Sequence, residues 1–468
     1  MKVLLVYPPF PYGKGMGAIM KSPPLSLMQL AGMIPDHQVE IFDFNANSHM
    51  KIADLKQRIG KFDLLGITCM SRMLNSALKL CKLAKRQDVT TVLGGFHPTL
   101  KPDIIKHPEI DYIVRGEREY TFKELVDGKP PSDILGLSYK ENGRYCHNEL
   151  RPFIRNLDEL SYPRKDLVDY SPYHYLWQPV DVVESSRGCP FDCSFCCVTK
   201  FYCRTWRKKS PVRVIKEIAR VPKTQRFVFF VDDNFTLDHK RVNRICDLIR
   251  EYGYHKRLNF ACQTRVDDIA KDPDMIKKMA KSGFKCFFIG IESLKQMSLT
   301  TMKKQIRLSQ VRKAVKTCHD NGIIVFGSFI IGNIGETRRD ILQTLKLIKE
   351  LQIDFTMTGP LTPYPGTDLW DEGVANGWVD KDYNWVTRTD NPLMRTPDLS
   401  RDEIEDLFHY SYQYLYRTDS ISYYIKGLRR FLSPPFRWSW KLIPSFIFNG
   451  LKDFVLKVDT ISGNKKIA

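Results

Sequence analysis

Two successive series of short apolar runs, separated by segments of helical period, constrain the fold of this chain more than any other feature. The first series predicts buried parallel strands, because strands covered on both faces lose the alternation of apolar and polar residues. These strands are residues 3–6, 39–42, 64–68, 89–93 and 112–114. Residues 71–85 have the Ala and Leu spacing of a crossover helix. The pattern predicts a doubly wound, Rossmann-like α/β domain whose ligand site lies at the carboxyl ends of its strands.

The second series repeats a strand followed by a helix. Its predicted strands are residues 182–185, 227–231, 259–263, 286–291, 323–331 and 355–361. Amphipathic helices such as residues 212–221 and 338–351 separate them. Right-handed crossovers between consecutive parallel strands predict a partial (β/α)6 barrel of the TIM type, with its chemistry at the C-terminal ends of the strands.

These patterns divide the chain into four segments. Residues 1–150 form the α/β domain, 151–180 a linker, 181–395 the barrel and 396–468 a small helical C-terminal region. The linker lacks a sustained period and carries several prolines, which interrupt regular structure. Ser400 to Glu403 has the composition of a helix start and opens the last segment.

Charge and cysteine content narrow the setting of the protein. The chain of 468 residues carries a net charge of +19, which favours contact with nucleic acid, an anionic bilayer or phosphorylated substrates. Twelve cysteines without a recognisable signal peptide indicate a reducing cytoplasm and argue against a disulfide scaffold. Apolar runs stay shorter than the roughly 18–20 residues that span a bilayer, so we expect no membrane crossing.

Three cysteines with the spacing C-x3-C-x2-C directly follow the first strand of the second series. They are Cys189, Cys193 and Cys196. A short loop of this kind can place three thiolates around one face of a 4Fe-4S cluster and leave the fourth iron open to a ligand. Two alternatives remain at this point: ordinary buried cysteines, or a zinc site that takes His174 or Cys203 as its fourth ligand.

The segment from Ser186 to Cys196 resembles the signature of the radical S-adenosylmethionine (SAM) superfamily. The resemblance implies that the open iron binds SAM, and that one electron cleaves SAM to methionine and a 5′-deoxyadenosyl radical, which abstracts a hydrogen atom from the substrate. It also implies SAM contacts from residues near the cysteines and at the strand ends: Phe195, Asp233, Asn234, Arg265, Glu292, Ser293 and Gly332. An Asx turn, structural ion pairs and a plain glycine turn are the competing interpretations of these residues.

The first domain resembles that of the cobalamin-binding radical SAM subfamily, which includes the anaerobic magnesium-protoporphyrin ester cyclase and several methyltransferases. The resemblance implies cobalamin contacts from strand-end residues: Pro8, Pro9, Thr68, Ser71, Gly94, Gly95, His97 and Glu117. The motif D-x-H-x-x-G, through which many cobalamin proteins supply a histidine to cobalt, is absent. We therefore expect cobalamin to bind without a histidine ligand. The alternative is a degenerate Rossmann-like domain that serves as a substrate platform.

The C-terminal tail is basic and aromatic. Residues 421–468 hold nine Lys or Arg against two Asp, with Trp and Phe interleaved. This composition predicts either a peripheral membrane helix or a helical cap whose aromatic side chains pack on the barrel. The same charges could bind nucleic acid, but no RNA-binding module accompanies them, which argues against that partner.

The resemblance predicts a cobalamin-dependent radical SAM methyltransferase that acts on an unactivated carbon. A second hypothesis keeps the radical but ends in cyclisation, oxidation or carbon–carbon coupling on a lipid, isoprenoid or tetrapyrrole. A third is a non-catalytic metal-cluster sensor or assembly protein. We expect a small-molecule or lipid-like substrate, a reducing partner such as flavodoxin or ferredoxin, and a location in the cytoplasm or at the inner face of the membrane.

Overall fold

The computed structural model describes residues 1–10, 20–383, 385, 394–416 and 436. Its strands are β1 (Lys2–Tyr7), β2 (Met20–Lys21), β3 (Gln38–Asp43), β4 (Leu64–Thr68), β5 (Thr90–Gly94), β6 (Tyr112–Val114), β7 (Leu137–Glu141), β8 (Arg144–His147), β9 (His174–Tyr175), β10 (Gln178–Val183), β11 (Ser186–Gly188), β12 (Trp206–Lys208), β13 (Phe227–Phe230), β14 (Asn259–Arg265), β15 (Phe284–Glu292), β16 (Ile324–Ile331) and β17 (Phe355–Pro360). Its α-helices are α1 (Leu25–Met33), α2 (Lys56–Ile59), α3 (Leu74–Lys85), α4 (Phe96–Leu100), α5 (Arg118–Val126), α6 (Cys197–Phe201), α7 (Pro211–Ala219), α8 (His239–Glu251), α9 (Val266–Lys271), α10 (Pro273–Lys281), α11 (Gln296–Thr301), α12 (Leu308–Asp320), α13 (Arg338–Glu350), α14 (Asp368–Ala375) and α15 (Arg401–Tyr416).

The N-terminal sheet has the order β3-β1-β4-β5-β6-β7-β8. Its first five strands are parallel, and β7 and β8 add an antiparallel edge. Helices cover both faces, so the strands are apolar throughout, as in the fully buried core of β1 from Val3 to Val6. The predicted doubly wound α/β domain is confirmed. The sequence analysis missed β7 and β8, because its strand series ended at residue 114.

The second sheet contains the six predicted parallel strands in the order β17-β16-β15-β14-β13-β10, followed by two short antiparallel strands, β9 and β2. The sheet curls through 249°, which makes an open barrel. Strand β2 comes from the N-terminal domain and pairs with β9, so one segment of the first domain completes the edge of the second sheet. The partial barrel was predicted, whereas the contribution of β2 was not.

Side chains alternate between the interior of the barrel and its ring of helices, as the period of a strand requires. On β13, Phe227 and Phe229 point to the interior, where Phe229 stacks on Tyr175 at 5.3 Å. The intervening Val228 and Phe230 pack against the helices. The lower half of the barrel is therefore a filled aromatic core, and the polar chemistry is confined to its upper rim.

Capping side chains begin the barrel helices where the strand-to-helix loops end. The hydroxyl of Ser210 accepts a hydrogen bond from the backbone of Arg213 in α7, which also has proline at its first position. Asp238 and Asp272 cap α8 and α10 in the same way, and Thr337 caps α13. Each cap satisfies a backbone N–H that the helix leaves free, so the ends of the loops are fixed.

The C-terminal segment begins as predicted. Ser400 and Glu403 form a reciprocal capping pair, in which the Ser400 N–H donates to Glu403 at 2.8 Å and the Glu403 N–H donates to the Ser400 hydroxyl at 3.2 Å. Helix α15 follows. The basic, aromatic tail lies outside the described residues except for Phe436, which is fully buried in the aromatic core of the barrel. In the described part of the chain, every helix falls short of the length and hydropathy that a bilayer span requires.

A buried guanidinium joins the two domains. Arg187, in β11, donates to Glu117 at 2.9 Å and to Glu119 at 2.7 Å, both in the N-terminal domain, and to Glu184 at 2.8 Å. Its side chain is 3% exposed. Burial alone would raise the pKa of Glu119, but the charges of Arg187 and Arg118 lower it to about 2. This ion cluster fixes the N-terminal domain against the strand that leads into the three cysteines.

Replacement of Arg187 by Met tests this ion cluster. The change keeps an unbranched apolar stem but removes the guanidinium, so Glu117 keeps only Arg207 and Glu119 keeps only the more distant Arg118 as a charged partner. We expect a loss of about 3–5 kcal/mol in the free energy of unfolding, measured by urea denaturation. Because the folded-state pKa of Glu119 lies below its ordinary value of 4.5, its contribution is present above pH 4.5 and is lost as the pH falls toward 2.

The matched control is Arg58→Met. Arg58 pairs with Glu40 at 2.7 Å, but both side chains are about two-fifths exposed, at 42% and 41%. Exposed pairs contribute about 0–1 kcal/mol. Equal losses in the two variants would contradict the role assigned to Arg187.

Candidate active site

The three cysteines lie on the loop that leads from β11 to helix α6, between the two strands of the hairpin β11–β12. Gly188, which precedes Cys189, has φ +82°, and an added Cβ would lie 2.2 Å from the carbonyl oxygen of Thr205. Only glycine fits this turn. The fully buried carboxylate of Asp232 accepts hydrogen bonds from the backbone N–H of Ser185 and from the hydroxyls of Ser185 and Ser186, and so holds the start of the hairpin. The loop is thus anchored on the barrel rim.

Burial controls the chemistry of the cysteine thiols. Cys193 is buried, whereas Cys189 and Cys196 are half-buried. Burial raises the pKa of Cys189 and of Cys196, and the charge of Cys193 raises both further. The three sulfurs are therefore close enough to interact, and they need positive charge to ionise. A bound iron cluster supplies that charge, so the donor set fits such a group.

The two residues considered as a fourth zinc ligand have other surroundings. Cys203 is exposed, and the ring of His174 lies 3.2 Å from the carbonyl oxygen of Pro172. Among the described residues, no group of three or more His, Cys, Asp or Glu side chains converges so that it could hold a single metal ion. A cube of four irons spreads its thiolates over separate corners and does not need this convergence.

Asp233 follows β13 and faces the cysteine loop. Its carboxylate accepts a hydrogen bond from the Gly188 N–H at 2.9 Å. Burial raises its pKa to about 7, and the charges of Asp232 and Glu184 act in the same direction. A nearby cation such as an ammonium would lower this pKa again and stabilise the ionised carboxylate, so the site favours a cationic ligand.

Arg265 ends β14 and lies over the cysteine loop. Its guanidinium carbon is 3.4 Å from the ring centroid of Phe191, and its Nε donates to Asp267 at 2.9 Å. The charges of Cys193 and Cys189 act on Arg265. Arg265 thus forms the structural ion pair, with Asp267, that the sequence analysis kept as an alternative. Its guanidinium also places a positive charge near the thiols of Cys189 and Cys193.

Glu292 ends β15 and pairs with a lysine that the sequence analysis missed. The Nζ of Lys304 donates to Glu292 Oε1 at 2.8 Å, and both side chains are buried. Burial alone would lower the pKa of Lys304, but the carboxylate of Glu292 raises it. The carbonyl of Lys304 also accepts from Arg265 at 2.9 Å. Lysine in a loop gives no sequence signal for such a role, because only the fold brings Lys304 to the strand end.

Left-handed backbone conformations surround this ion pair. Glu292 has φ +69° at an irregularity in the pairing of β15 with β16, and Lys303 and Gln305 have φ +55° and +56°. Such conformations are strained for residues other than glycine, and they persist where surrounding contacts enforce them. The pair of Glu292 and Lys304 is therefore held in place from both sides.

The other predicted SAM contacts have different surroundings. Phe195 packs between the helical core of the barrel and the core of the N-terminal domain. Asn234 is fully buried and accepts from the hydroxyl of Thr236 at 3.2 Å. Ser293 donates to Glu336 at 2.7 Å. Gly332 has φ +78°, and an added Cβ would lie 2.9 Å from Ile404 of α15, so its open side faces a packed helix. The side chains of Asn234 and Ser293 thus bond within the protein.

The carboxyl ends of β1, β4 and β5 form one edge of the N-terminal sheet, where the predicted cobalamin contacts gather. Pro8 and Pro9 follow β1, Thr68 ends β4 and Gly94 ends β5. Gly95 has φ +111°, and a Cβ there would lie 2.8 Å from the carbonyl oxygen of Cys69. Because Gly94 and Gly95 carry no side chain, the backbone itself forms this part of the edge, which suits the broad plane of a corrin. We call these strand ends the open edge of the N-terminal domain.

His97 lies behind this edge and is buried. Its Nδ1 is 2.9 Å from the hydroxyl of Ser71, and its ring meets that of Trp385 edge-on at 6.3 Å. Burial lowers its pKa to about 4, and Lys101 adds to the effect. The imidazole is thus neutral and engaged with Ser71. Cobalamin binding without a histidine ligand stays a prediction, and this geometry agrees with it.

Glu117 is used differently from its predicted role as a cobalamin contact. Its two oxygens accept from Arg187 at 2.9 Å, from Arg207 at 2.7 Å and from the backbone N–H of Ile154 at 2.7 Å. All of these partners belong to the ion cluster between the domains. The position of Glu117 after β6 predicted a ligand site. Its ion pairs with Arg187 and Arg207 join residues far apart in the chain, which sequence spacing does not reveal.

The open edge of the N-terminal domain adjoins the cysteine loop. The ring of Phe96 in α4 lies 4.6 Å from that of Phe201 in α6, the helix that follows the cysteines. Leu100 lies 3.3 Å from the Cβ position of Gly366, in the loop after β17. The core of the N-terminal domain also includes Trp370 of α14. The elements that follow the two strand-end sites therefore pack directly on one another.

Comparison with known proteins identifies the family. The model of the radical SAM superfamily matches residues 183–348, and the model of the B12 binding domain matches residues 20–126. An uncharacterized methyltransferase of Pyrococcus horikoshii is 36% identical over 440 residues, which cover 91% of this chain and 93% of the relative. The chain belongs to the cobalamin-binding group of the radical SAM superfamily.

Other relatives of this radical SAM enzyme agree with the assignment. An anaerobic magnesium-protoporphyrin IX monomethyl ester cyclase of Rubrivivax gelatinosus is 29% identical, over 87% of this chain and 76% of the relative. The structure of OxsB with aqua-cobalamin and SAM superposes with a TM-score of 0.70 at 17% identity, over 97% of this chain and 72% of OxsB. The structural likeness shows the shared fold. The cofactors of the family are a 4Fe-4S cluster, SAM and cobalamin. Family membership supports the two enzyme hypotheses over the non-catalytic sensor or assembly protein.

Replacement of Cys189, Cys193 or Cys196 by Ala is expected to abolish cluster assembly, because each thiolate holds a separate iron and the adjacent Cys197 is fixed in the first turn of α6. After anaerobic reconstitution, each variant should lose the cluster absorption and electron paramagnetic resonance signals and the formation of 5′-deoxyadenosine. The control is Cys203→Ala, which removes an exposed thiol of the same region. Retention of a full cluster after any of the three changes would refute the assignment.

Lys304→Met is expected to weaken SAM binding about tenfold, or about 1.4 kcal/mol, because Glu292 loses the cation that orients its carboxylate. Isothermal titration with SAM measures the effect, and Lys304→Arg should restore part of the affinity. Its neighbour provides the control: Lys303 is 51% exposed, and Lys303→Met should leave the affinity unchanged. Equal effects of Lys303→Met and Lys304→Met would disprove the specific role of Lys304.

Proposed function

We propose that this protein is a cobalamin-dependent radical SAM methyltransferase that methylates an unactivated carbon of a small, apolar substrate. The observation that carries the proposal is the packing of α4, which follows the open edge of the N-terminal domain, on α6, which follows the cysteines. Methyl transfer to a radical carbon requires that the methyl carrier and the radical source reach one substrate. Two sites whose flanking helices pack on each other are near enough to serve one substrate between them.

We assign the cofactor contacts from this geometry. Cys189, Cys193 and Cys196 would hold the cluster, and Asp233, Arg265 and Glu292 would contact SAM. The strand ends at Pro8, Thr68 and Gly94 would contact cobalamin. When bound, the cluster supplies the electron that cleaves SAM, and cobalamin supplies a carrier for the methyl group.

The residues of the chain position and shield these groups. The Ser194 N–H donates to the carbonyl of Met302 at 3.1 Å, and the Leu369 N–H donates to the carbonyl of Ser194 at 3.0 Å, so the end of α11 and the start of α14 hold the cysteine loop. Arg265 and Lys304 add positive charge beside the thiolates. Exclusion of water protects a carbon radical from side reactions.

The side chains that line the interior of the barrel favour the proposal of an apolar substrate. Above the filled aromatic core, Val231, Phe288 and Met357 are only partly buried, and they line the interior below the strand ends. Hydrophobic and aromatic linings are typical of sites that bind apolar ligands. Peripheral membrane contact through the tail would bring such a substrate to the enzyme, and it stays a prediction.

Deuterated SAM tests the proposal without the natural substrate. With the reconstituted enzyme, cobalamin and dithionite, we expect 5′-deoxyadenosine, together with S-adenosylhomocysteine and transfer of the CD3 group to the bound cobalamin, both measured by mass spectrometry. In the control without cobalamin, S-adenosylhomocysteine should disappear while 5′-deoxyadenosine remains.

A second candidate is a radical cyclase or oxidase, which the likeness to the Rubrivivax cyclase favours. It predicts 5′-deoxyadenosine without S-adenosylhomocysteine or labelled cobalamin. That result would replace methyl transfer with the second candidate, whereas absence of 5′-deoxyadenosine would contradict both.

A further inference from the structure

An open cleft of about 930 Å³ lies beside the cysteine loop, on the outer rim of the barrel. It lies between the loop after β13, helix α9 and the start of α12. Its lining residues include Phe191, Leu237, Ala270, Lys240, Lys271 and Lys313. Apolar side chains form part of its wall, and lysines from three different elements surround them.

Phe191 connects this cleft to the candidate cluster site. It stands between Cys189 and Cys193 in the sequence, two residues from each. One face of its ring contacts the guanidinium of Arg265 at 3.4 Å, and Arg265 is close enough to both thiols for their charges to act on it. The cleft therefore brings solvent, or a docked partner, to within one side chain of the cysteine loop.

Two of the three acidic residues that line the cleft form ion pairs with a lysine or an arginine. Asp238 pairs with Lys208, and Asp267 pairs with Arg265. Asp268 is buried and accepts from the hydroxyl of Thr236 at 2.9 Å.

The three lysines of the cleft remain uncompensated. Lys240, Lys271 and Lys313 are exposed, and none of them forms an ion pair within the part of the chain that the structure describes. The ring of His239, which also lines the cleft, bonds to Asp272 at 3.0 Å. The cleft thus presents excess positive charge around an apolar patch, which is complementary to an acidic protein surface.

We propose that this cleft is the docking surface for an acidic, low-potential electron-carrier protein that reduces the cluster. The inference rests on the proposed function, since only radical chemistry at the cluster consumes the electron. One electron leaves the reduced carrier, which is oxidised by one unit, and enters the cluster, which is reduced by one unit, without any bond being made or broken. Docking against Phe191 shortens the path of this electron, and the lysines steer the carrier to it.

Charge reversal tests the docking surface with a flavodoxin as the probe. The variant combines Lys240→Glu, Lys271→Glu and Lys313→Glu in the full, reconstituted chain. We expect the dissociation constant for oxidised flavodoxin, measured by isothermal titration at low salt, to rise at least about tenfold. The KM for reduced flavodoxin in 5′-deoxyadenosine formation should rise in parallel. The rate with dithionite should stay unchanged, because a small reductant does not need the surface.

The matched control carries the same change in net charge elsewhere. Lys277, Lys316 and Lys346 are exposed and lie outside the cleft. Their combined replacement by Glu should leave flavodoxin binding within about twofold of the parent protein. An unchanged dissociation constant in the cleft variant, or an equal rise in both variants, would overturn the proposal.

The binding measurement also separates this proposal from the proposed function. If dithionite yields no 5′-deoxyadenosine in the parent protein, the radical function fails, and the titration of oxidised flavodoxin against both variants still decides whether the cleft is the docking surface. A cleft that instead binds a small anion would leave the affinity for flavodoxin unchanged by charge reversal, and the proposal would fall.

Discussion

The buried guanidinium of Arg187 determines where the cysteine loop lies relative to both domains. It precedes Gly188 and Cys189, and it bonds to Glu117 and Glu119 from the N-terminal domain and to Glu184 from the barrel. A buried charge without partners is strongly unfavourable, so neither domain can separate from the other without exposing or stranding these groups. Docking of the domains and placement of the loop are therefore coupled. The packing of α4 on α6 depends on this coupling.

Three positive-φ residues shape the ends of the strands and loops at the two sites. Gly188 and Gly95 adopt left-handed conformations in which a Cβ would meet a carbonyl oxygen, and Glu292 adopts one without being glycine. The first two let chain segments approach closely at the cysteine loop and at the open edge of the N-terminal sheet. The third turns the end of β15 toward Lys304. Such conformations at strand ends are typical of positions where a site requires a geometry that regular structure does not supply.

The electrostatics of the two sites differ in a way that matches their proposed cofactors. Burial disfavours the ionised cysteines, so the loop depends on positive charge from Arg265, from Lys304 and from a bound cluster. Behind the open edge of the N-terminal domain, by comparison, His97 is buried and its pKa is lowered to about 4. A 4Fe-4S cluster with thiolate ligands needs nearby positive charge, whereas the corrin ring of cobalamin does not.

The sequence by itself determined the two series of strands, the cysteine spacing and the family, because strand period, loop spacing and helix caps are local properties of the chain. The predicted strands lie within about one to four residues of those observed, and the cap at Ser400 begins α15. Long-range contacts had no such signal. Only the tertiary structure paired β2 with β9, engaged Glu117 in the ion cluster, turned Gly332 toward Ile404 and brought Lys304 to Glu292. These contacts join residues that are far apart along the chain, so their energies depend on how the whole fold packs and not on any local pattern.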